Sequence, residues 1–431
     1  MRSSLLILAL SLLIVNAARG GGTVTNVQFY SEALQENRWV QVYTPEGYDP
    51  DGTTWYPSIC FLHGANGDHL GYPELIAWAD NLIGAGEIDP VILIKPDGSG
   101  CEWPPFWEGC GWVDSELQGR FETYLTADVV GFAEENYRIV RSPAKRALMG
   151  HSMGAFGSMH AALRHPDMYA AVAALSGYPD FEEFANQHVP IIRTEQHNAH
   201  GDPPWDYRPE EGLYTCGWLM FAGGFSPDLG NPPFYVDFPL DPYGEIDPDV
   251  WSRWLEHDPS AIAGALSPET APAIYFDCGT NDPLHLYPIN VAFHERLTEL
   301  EIPHDFQSYV GGHWSVGRLQ VALRFLDSAF GGTAAAEGGE PQTQGIDSIL
   351  RFQVTNPSRE RVELFFETSA AGSAIVDAFD VQGRLRATVV RADLPSGPHH
   401  FTWETKGIAP GVYFVRLWTP VDRETRTVVV P

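Results

Sequence analysis

The chain has 431 residues, of which 44% are hydrophobic and 19% charged. That balance provides for a sizeable core and excludes a disordered chain, and the length suggests two or three structural units. A formal net charge of −30 excludes nucleic-acid binding through a basic surface and disfavours anionic membranes.

The first residues read as a signal peptide over 1–18. Arg2 supplies the positive start, Leu5 to Val15 is apolar apart from Ser11, and Asn16-Ala17-Ala18 offers small residues for cleavage. The apolar stretch is short for a membrane span, and no later segment approaches the required length. The expectation is a secreted or cell-surface protein with no membrane insertion after cleavage. Two strands follow over 23–47. The run Ser58-Ile59-Cys60-Phe61-Leu62 predicts a buried strand that stops at the turn-rich His63-Gly64-Ala65-Asn66-Gly67. A helix over 75–83 and a strand over 91–94 come next. A helix over 121–136, a strand over 147–149, a helix over 153–164 and a strand over 170–175 continue the alternation. This pattern predicts an α/β fold with a doubly wound, mainly parallel sheet covered on both faces. Sites in such sheets lie at the carboxyl ends of the strands.

Between 180 and 250 the alternation breaks. The stretch is rich in Pro, Asp and aromatics, among them Trp205, Tyr214, Trp218, Phe221 and Phe225. It reads as a long irregular insertion, a lid or pocket wall. The alternation resumes with a strand over 273–277, a helix over 288–300, a strand over 306–310 and a helix over 316–330. A small, polar, Gly-rich linker spans 332–345. Residues 346–431 show only strand patterns with recurring turns, as in a small all-β sandwich. They hold ten basic and ten acidic residues, so residues 1–345 carry the whole acid excess. Segments of such different charge read as separate domains, and 23–331 as the first.

Gly150-His151-Ser152-Met153-Gly154 matches G-x-S-x-G between a buried strand and a helix, the context of a nucleophile elbow. A serine hydroxyl needs a base, and the base needs an acid to fix its tautomer. His313 follows the last strand, and Asp282 follows the strand at 273–277, with Asp277 as its competitor. The order Ser152, Asp282, His313 is the one this architecture requires. Two backbone N–H donors should hold the oxyanion: Met153, and Ala65 in the loop after residues 58–62. His63 either shapes that loop or contacts substrate. Trp103, Trp107 and Trp112 form either a stacking platform or core, and Trp314 beside His313 is a further candidate for substrate contact. Cys101 and Cys110 bracket a short loop and are the disulfide candidates. Cys60 and Cys278 read as buried thiols. There is no C-x-x-C pair. His197, His200 and Asp202 lack a spaced third ligand and read as a solvated loop, so no metal and no cofactor is expected.

Several short segments in order resemble the esterase D-like family of α/β-hydrolases. They are Phe61-Leu62-His63-Gly64, Lys95-Pro96-Asp97-Gly98, Gly150 to Gly154, Ala162 to Asp167, Leu175-Ser176-Gly177, Gly279-Thr280-Asn281-Asp282 and Gly312-His313. The resemblance implies a secreted serine carboxylic-ester hydrolase with Ser152, Asp282 and His313 as its triad. By analogy its substrate is a small-molecule ester or one linked to plant polysaccharide, of feruloyl or acetyl type. Alternatives are an acyltransferase or polyester hydrolase and, from another class, a non-catalytic surface glycan-binding protein. Residues 376–384 and 409–415 resemble FlgD-like, type IX secretion sorting domains. That likeness implies secretion machinery as a partner of residues 346–431, with an accessory sandwich as the alternative.

Overall fold

Three strands buried along their whole length, Ser58–Leu62 (β3), Ile92–Pro96 (β4) and Arg146–His151 (β5), form the centre of one mixed sheet. The computed structural model describes residues 13–14, 21–100, 109–332, 349–355, 361–368, 372–380, 385–419 and 423–430. Most of the expected signal peptide and linker lies outside them, as do Cys101, Trp103 and Trp107. The chain divides into two compact units. One comprises Met1–Trp314 with Gln320–Glu337, the other Ser315–Leu319 with Gly338–Pro431.

In the larger unit, Thr23–Ser31 (β1) and Glu36–Thr44 (β2) form an antiparallel pair, and β2 runs antiparallel to β4. The remaining strands are parallel: β4, β3, β5, Ala171–Leu175 (β6), Ala273–Gly279 (β7) and His304–Tyr309 (β8). The order is β1-β2-β4-β3-β5-β6-β7-β8, with Leu13–Ile14 paired beside β1. This is the expected α/β fold. Continuous burial explains why the central strands read as unbroken apolar runs. The edge strand β8 is only half-buried and ends at Tyr309, while Val310 is 90% exposed. The strand expected over 306–310 is therefore shifted toward its polar start, since an edge strand needs only one apolar face.

The helices are Pro73–Ala85 (α1), a helical run over 121–136 with a π-helical turn at Tyr124–Val129, and Met153–Arg164 (α2). Later come Leu286–Glu299 (α6) and Gly317–Ala329 (α7). The irregular insertion expected over 180–250 is overturned. It contains two α-helices, Phe181–His200 (α3) and Leu213–Phe225 (α4), and a third, Pro248–Leu255 (α5), begins at its end. Asp180 starts α3 by accepting the Glu183 N–H, and α3 continues through Pro190. From Thr215 to Phe225 every residue of α4 is buried, which removes the one-sided periodicity that marks a surface helix. Phe184, Trp218, Phe221, Phe225 and Trp254 pack these helices against one another.

The smaller unit has two antiparallel sheets. Ile349–Val354, Arg361–Thr368 and Gly397–Glu404 form one; Leu385–Leu394, Gly372–Asp380, Gly411–Trp418 and Arg423–Val430 form the other. Alternate residues of both meet in one core that includes Leu364, Val376, Val415 and Val428, the arrangement of a small β-sandwich.

Candidate active site

The turn from β5 into α2 puts Ser152 at φ 56° and ψ −120°, a region a non-glycine residue enters only under constraint. Two glycines permit it. A Cβ on Gly150 would lie 2.1 Å from the Gly154 carbonyl oxygen, and one on Gly154 would lie 2.0 Å from that of Leu62. The Ser152 N–H donates to the Leu175 carbonyl, which leaves the hydroxyl at the sheet's carboxyl edge and at the positive end of α2.

Loops after β7 and β8 meet that hydroxyl. Thr280 and Asn281 donate their N–H groups to the carbonyls of Tyr309 and Gly311. Gly279 allows the closure, because a Cβ there would sit 2.2 Å from the Gly312 oxygen. His313 Nε2 lies 2.9 Å from Ser152 Oγ, and His313 Nδ1 lies 2.8 Å from Asp282 Oδ2. The Asp282 carboxylate is enclosed; its Oδ1 accepts the Leu284 N–H at 2.8 Å. Burial pushes the Cys278 thiol up, so it stays protonated and faces Asp282 Oδ2 at 3.7 Å. Asp277 lies deeper in β7, fully buried, where it accepts the Tyr275 hydroxyl. In this arrangement a serine hydroxyl donates to an imidazole whose other nitrogen donates to a buried carboxylate. It can generate an alkoxide-like nucleophile and stabilise the imidazolium that forms.

Met153 and Ala65 line one pocket with Ser152. Met153 opens α2, so its N–H has no acceptor within the helix. The Gly64 N–H is used by the Tyr72 hydroxyl at 3.3 Å. The pocket is otherwise mainly apolar, walled by Phe184, Leu213, Trp218, Met220 and Phe221 from α3 and α4, with Tyr178, His188 and Tyr214 also in its lining. The stretch read as irregular is thus a helical pocket wall.

His63 does not reach this pocket. It is buried, its Nδ1 donates to the Gly64 carbonyl, and its Nε2 accepts the Gly98 N–H. Burial also pushes its pKa down. With both nitrogens committed to backbone it has none for a substrate, so of the two expected roles the geometry fits loop shaping and not substrate contact. Trp112 is core: it is fully buried, and its indole donates to the His63 carbonyl. Trp314 lies outside the pocket lining and packs edge-on against Tyr72 and His151. Cys60, Cys110, Cys216 and Cys278 are all buried; the partner proposed for Cys110, Cys101, is outside the described residues. His200 is grouped with Asp206 and Glu211, donor atoms within 4.8 Å of one another. This set shares only His200 with the His197, His200 and Asp202 cluster weighed in the sequence. The set is already paired, however: His200 with Glu211, and Asp206 with the Arg208 guanidinium.

Residues 31–318 match the family model described as "Putative esterase". The chain belongs to this family. Among curated relatives of this esterase-family chain, Esterase MT1326 of Mycobacterium tuberculosis (strain CDC 1551 / Oshkosh) is 25% identical over 231 residues, 47% of this chain and 46% of that protein. An endo-1,4-beta-xylanase/feruloyl esterase of Xylanibacter ruminicola is 26% identical over 162 residues, 36% of this chain and 22% of that protein. The chain therefore spans about half the length, or less, of these relatives. A solved ferulic acid esterase superposes with a TM-score of 0.51 at 20% identity, covering 72% of this chain and 100% of that one. That likeness is one of fold. Among the described residues, no helix is long and apolar enough to cross a membrane.

Proposed function

We propose that this chain is a serine carboxylic-ester hydrolase working through an acyl-enzyme. The observation that carries the reading is the pair of contacts made by His313, 2.9 Å to Ser152 Oγ and 2.8 Å to Asp282 Oδ2. Ser152 Oγ attacks the ester carbonyl while its proton passes to His313 Nε2. Asp282 holds the imidazolium, and the N–H groups of Met153 and Ala65 receive the oxyanion. The alcohol leaves with the proton from His313. Water, deprotonated by the same imidazole, then releases the acid. The substrate is an ester linked to plant polysaccharide, of feruloyl or acetyl type. The apolar, aromatic wall beside Ser152 favours the bulkier feruloyl group. Labelling by a fluorophosphonate probe and turnover of p-nitrophenyl acetate and methyl ferulate test this. Both should vanish in Ser152→Ala; a variant that keeps turnover would sink the assignment.

We propose further that residues 1–18 direct export, that 23–331 form the esterase domain, and that 332–345 link it to a sorting or accessory sandwich over 346–431. Loss of export on deleting 346–431, with the esterase still active in lysate, is the expected result. Unchanged export would leave the accessory role.

A further inference from the structure

A second hydrogen-bonded chain crosses the site and includes none of the three triad side chains. His151 stands immediately before the nucleophile, buried, with Nε2 2.9 Å from the carbonyl oxygen of His313. A carbonyl only accepts, so Nε2 carries the proton. In the neutral ring Nδ1 is then an acceptor. Its neighbour, at 2.9 Å, is the Tyr72 hydroxyl, which therefore donates. The Tyr72 oxygen in turn accepts the Gly64 N–H at 3.3 Å. Burial pushes the Tyr72 phenol up to about 12, so it remains a donor throughout the neutral range. The direction is uniform: Gly64 N–H to Tyr72, Tyr72 O–H to His151, His151 N–H to the His313 carbonyl.

The two ends of this chain lie on different loops. Gly64 precedes Ala65 in the loop after β3, and His313 lies in the loop after β8. The middle, His151, is bonded to Ser152 in sequence. Contact is close: a Cβ on Gly64 would stand 3.1 Å from the Tyr72 oxygen and 3.3 Å from Ser152 Cβ. Tyr72 is held at φ 57°, left-handed, just before Pro73 opens α1, a strained position for a side chain of its size. Trp314 shields the chain, with ring centroids 5.0 Å from Tyr72 and 4.5 Å from His151.

We propose that Tyr72 and His151 are positioning residues that fix the oxyanion loop and the backbone of the base at one separation across the nucleophile. The proposal rests on the serine-esterase reading above. The His151 ring packs on that of His313, centroids 4.9 Å apart, but the hydrogen bonds of both residues go to backbone and to each other and not to Ser152 Oγ or His313 Nε2. The effect therefore falls on the geometry of the tetrahedral transition state more than on ground-state binding. A misplacement of about 1 Å costs on the order of 100-fold in rate.

The test uses Tyr72→Phe, which deletes one oxygen, together with His151→Phe and the double variant. The readouts are kcat, KM and the affinity for an aryl trifluoromethyl ketone, which adds to an activated serine as a tetrahedral mimic. Tyr72→Phe should lower kcat by about 10- to 100-fold and weaken the ketone in parallel, with KM within about twofold. The double variant should lose no more than the worse single one, since both break the same chain. Wild-type kcat and ketone affinity in a folded Tyr72→Phe protein overturn the proposal, as do additive losses. Imidazole ¹⁵N spectra of the unmodified protein give a reading that needs no variant. They should show His151 protonated at Nε2 and bare at Nδ1, and the opposite tautomer overturns the assignment. Unmodified protein that neither turns over esters nor takes the fluorophosphonate overturns the esterase reading and this one with it. Full activity of Tyr72→Phe overturns this one alone.

Discussion

His188 Nε2 lies 2.9 Å from the carbonyl oxygen of Leu284, and through that bond the pocket wall holds the loop that carries Asp282, the proposed acid. Leu284 returns its own N–H to Asp282 Oδ1, and the Tyr214 hydroxyl donates to the Pro283 carbonyl at 3.1 Å. On its other side His188 Nδ1 accepts the Trp218 indole N–H at 3.2 Å. Helices α3 and α4 thus grip two consecutive residues, Pro283 and Leu284, and through the Leu284 N–H the neighbouring Asp282 carboxylate. Burial keeps the imidazole neutral, its pKa pushed down to about 4, so the bonds persist at neutral pH.

Replacing His188 with Leu leaves the Leu284 carbonyl and the Trp218 N–H without their partner. Losing a partner that orients a reacting side chain typically costs on the order of 10-fold in activity. We expect kcat to fall by about that factor, with KM changing less, and the melting temperature to fall as well. Steady-state kinetics on protein shown folded by circular dichroism are the check. An unchanged kcat would mean that the acid loop holds itself.

Gly217 tests what the pocket takes. It lines the pocket on α4, and a Cβ placed there meets nothing within 4 Å. Gly217→Ala should therefore stabilise the helix, by roughly 0.5–1 kcal/mol. Gly217→Leu should fill space that a large acyl group needs. We expect kcat/KM for methyl ferulate to drop about 10-fold or more, within the range a few methylenes of pocket volume can impose, while p-nitrophenyl acetate is turned over nearly as before. Equal turnover of both esters by the Leu variant would place the acyl group elsewhere.

Much of this site was legible in the sequence because strand ends and glycines mark it. Ser152 follows a buried strand between two glycines that the packing cannot replace. The segments of Asp282 and His313 each follow a strand of the same sheet, in the order that the topology brings together. Tyr72 and His151 gave no such signal. Tyr72 sits in a turn before Pro73, where no periodicity applies, and His151 occupies the unspecified position of its motif. The helices of 180–250 were missed for two physical reasons. Pro190 lies inside α3 and reads as a breaker, and α4 is buried all round, so it lacks an amphipathic face. For His63 the sequence left two roles open, because its position in the loop after β3 says nothing about which way its nitrogens point.

His160 on α2 supplies a pH-dependent prediction. Its side chain is fully buried, and among the described residues neither ring nitrogen has a hydrogen-bond partner. It packs between Phe156 and His257, ring centroids 5.5 Å from each, with Glu122 at 3.9 Å. Burial, opposed by the Glu122 carboxylate, pushes its pKa down to about 3, and burial pushes His257 to about 4. In the unfolded chain a histidine titrates near 6.5. Below that pH the unfolded state binds protons that the folded state refuses. The stability associated with these groups is therefore present above pH 6.5 and lost as the pH falls toward 4 and then 3. His160→Phe keeps the aromatic stack, removes one such proton uptake and removes two unpaired buried nitrogens. Each unpaired buried polar group costs roughly 1–3 kcal/mol. The variant should melt at least as high as wild type at pH 8, and its advantage should widen as the pH is lowered from 6.5 to 4.5. Thermal melts across that range decide it. A difference that stays constant with pH would mean that His160 is not held neutral by burial.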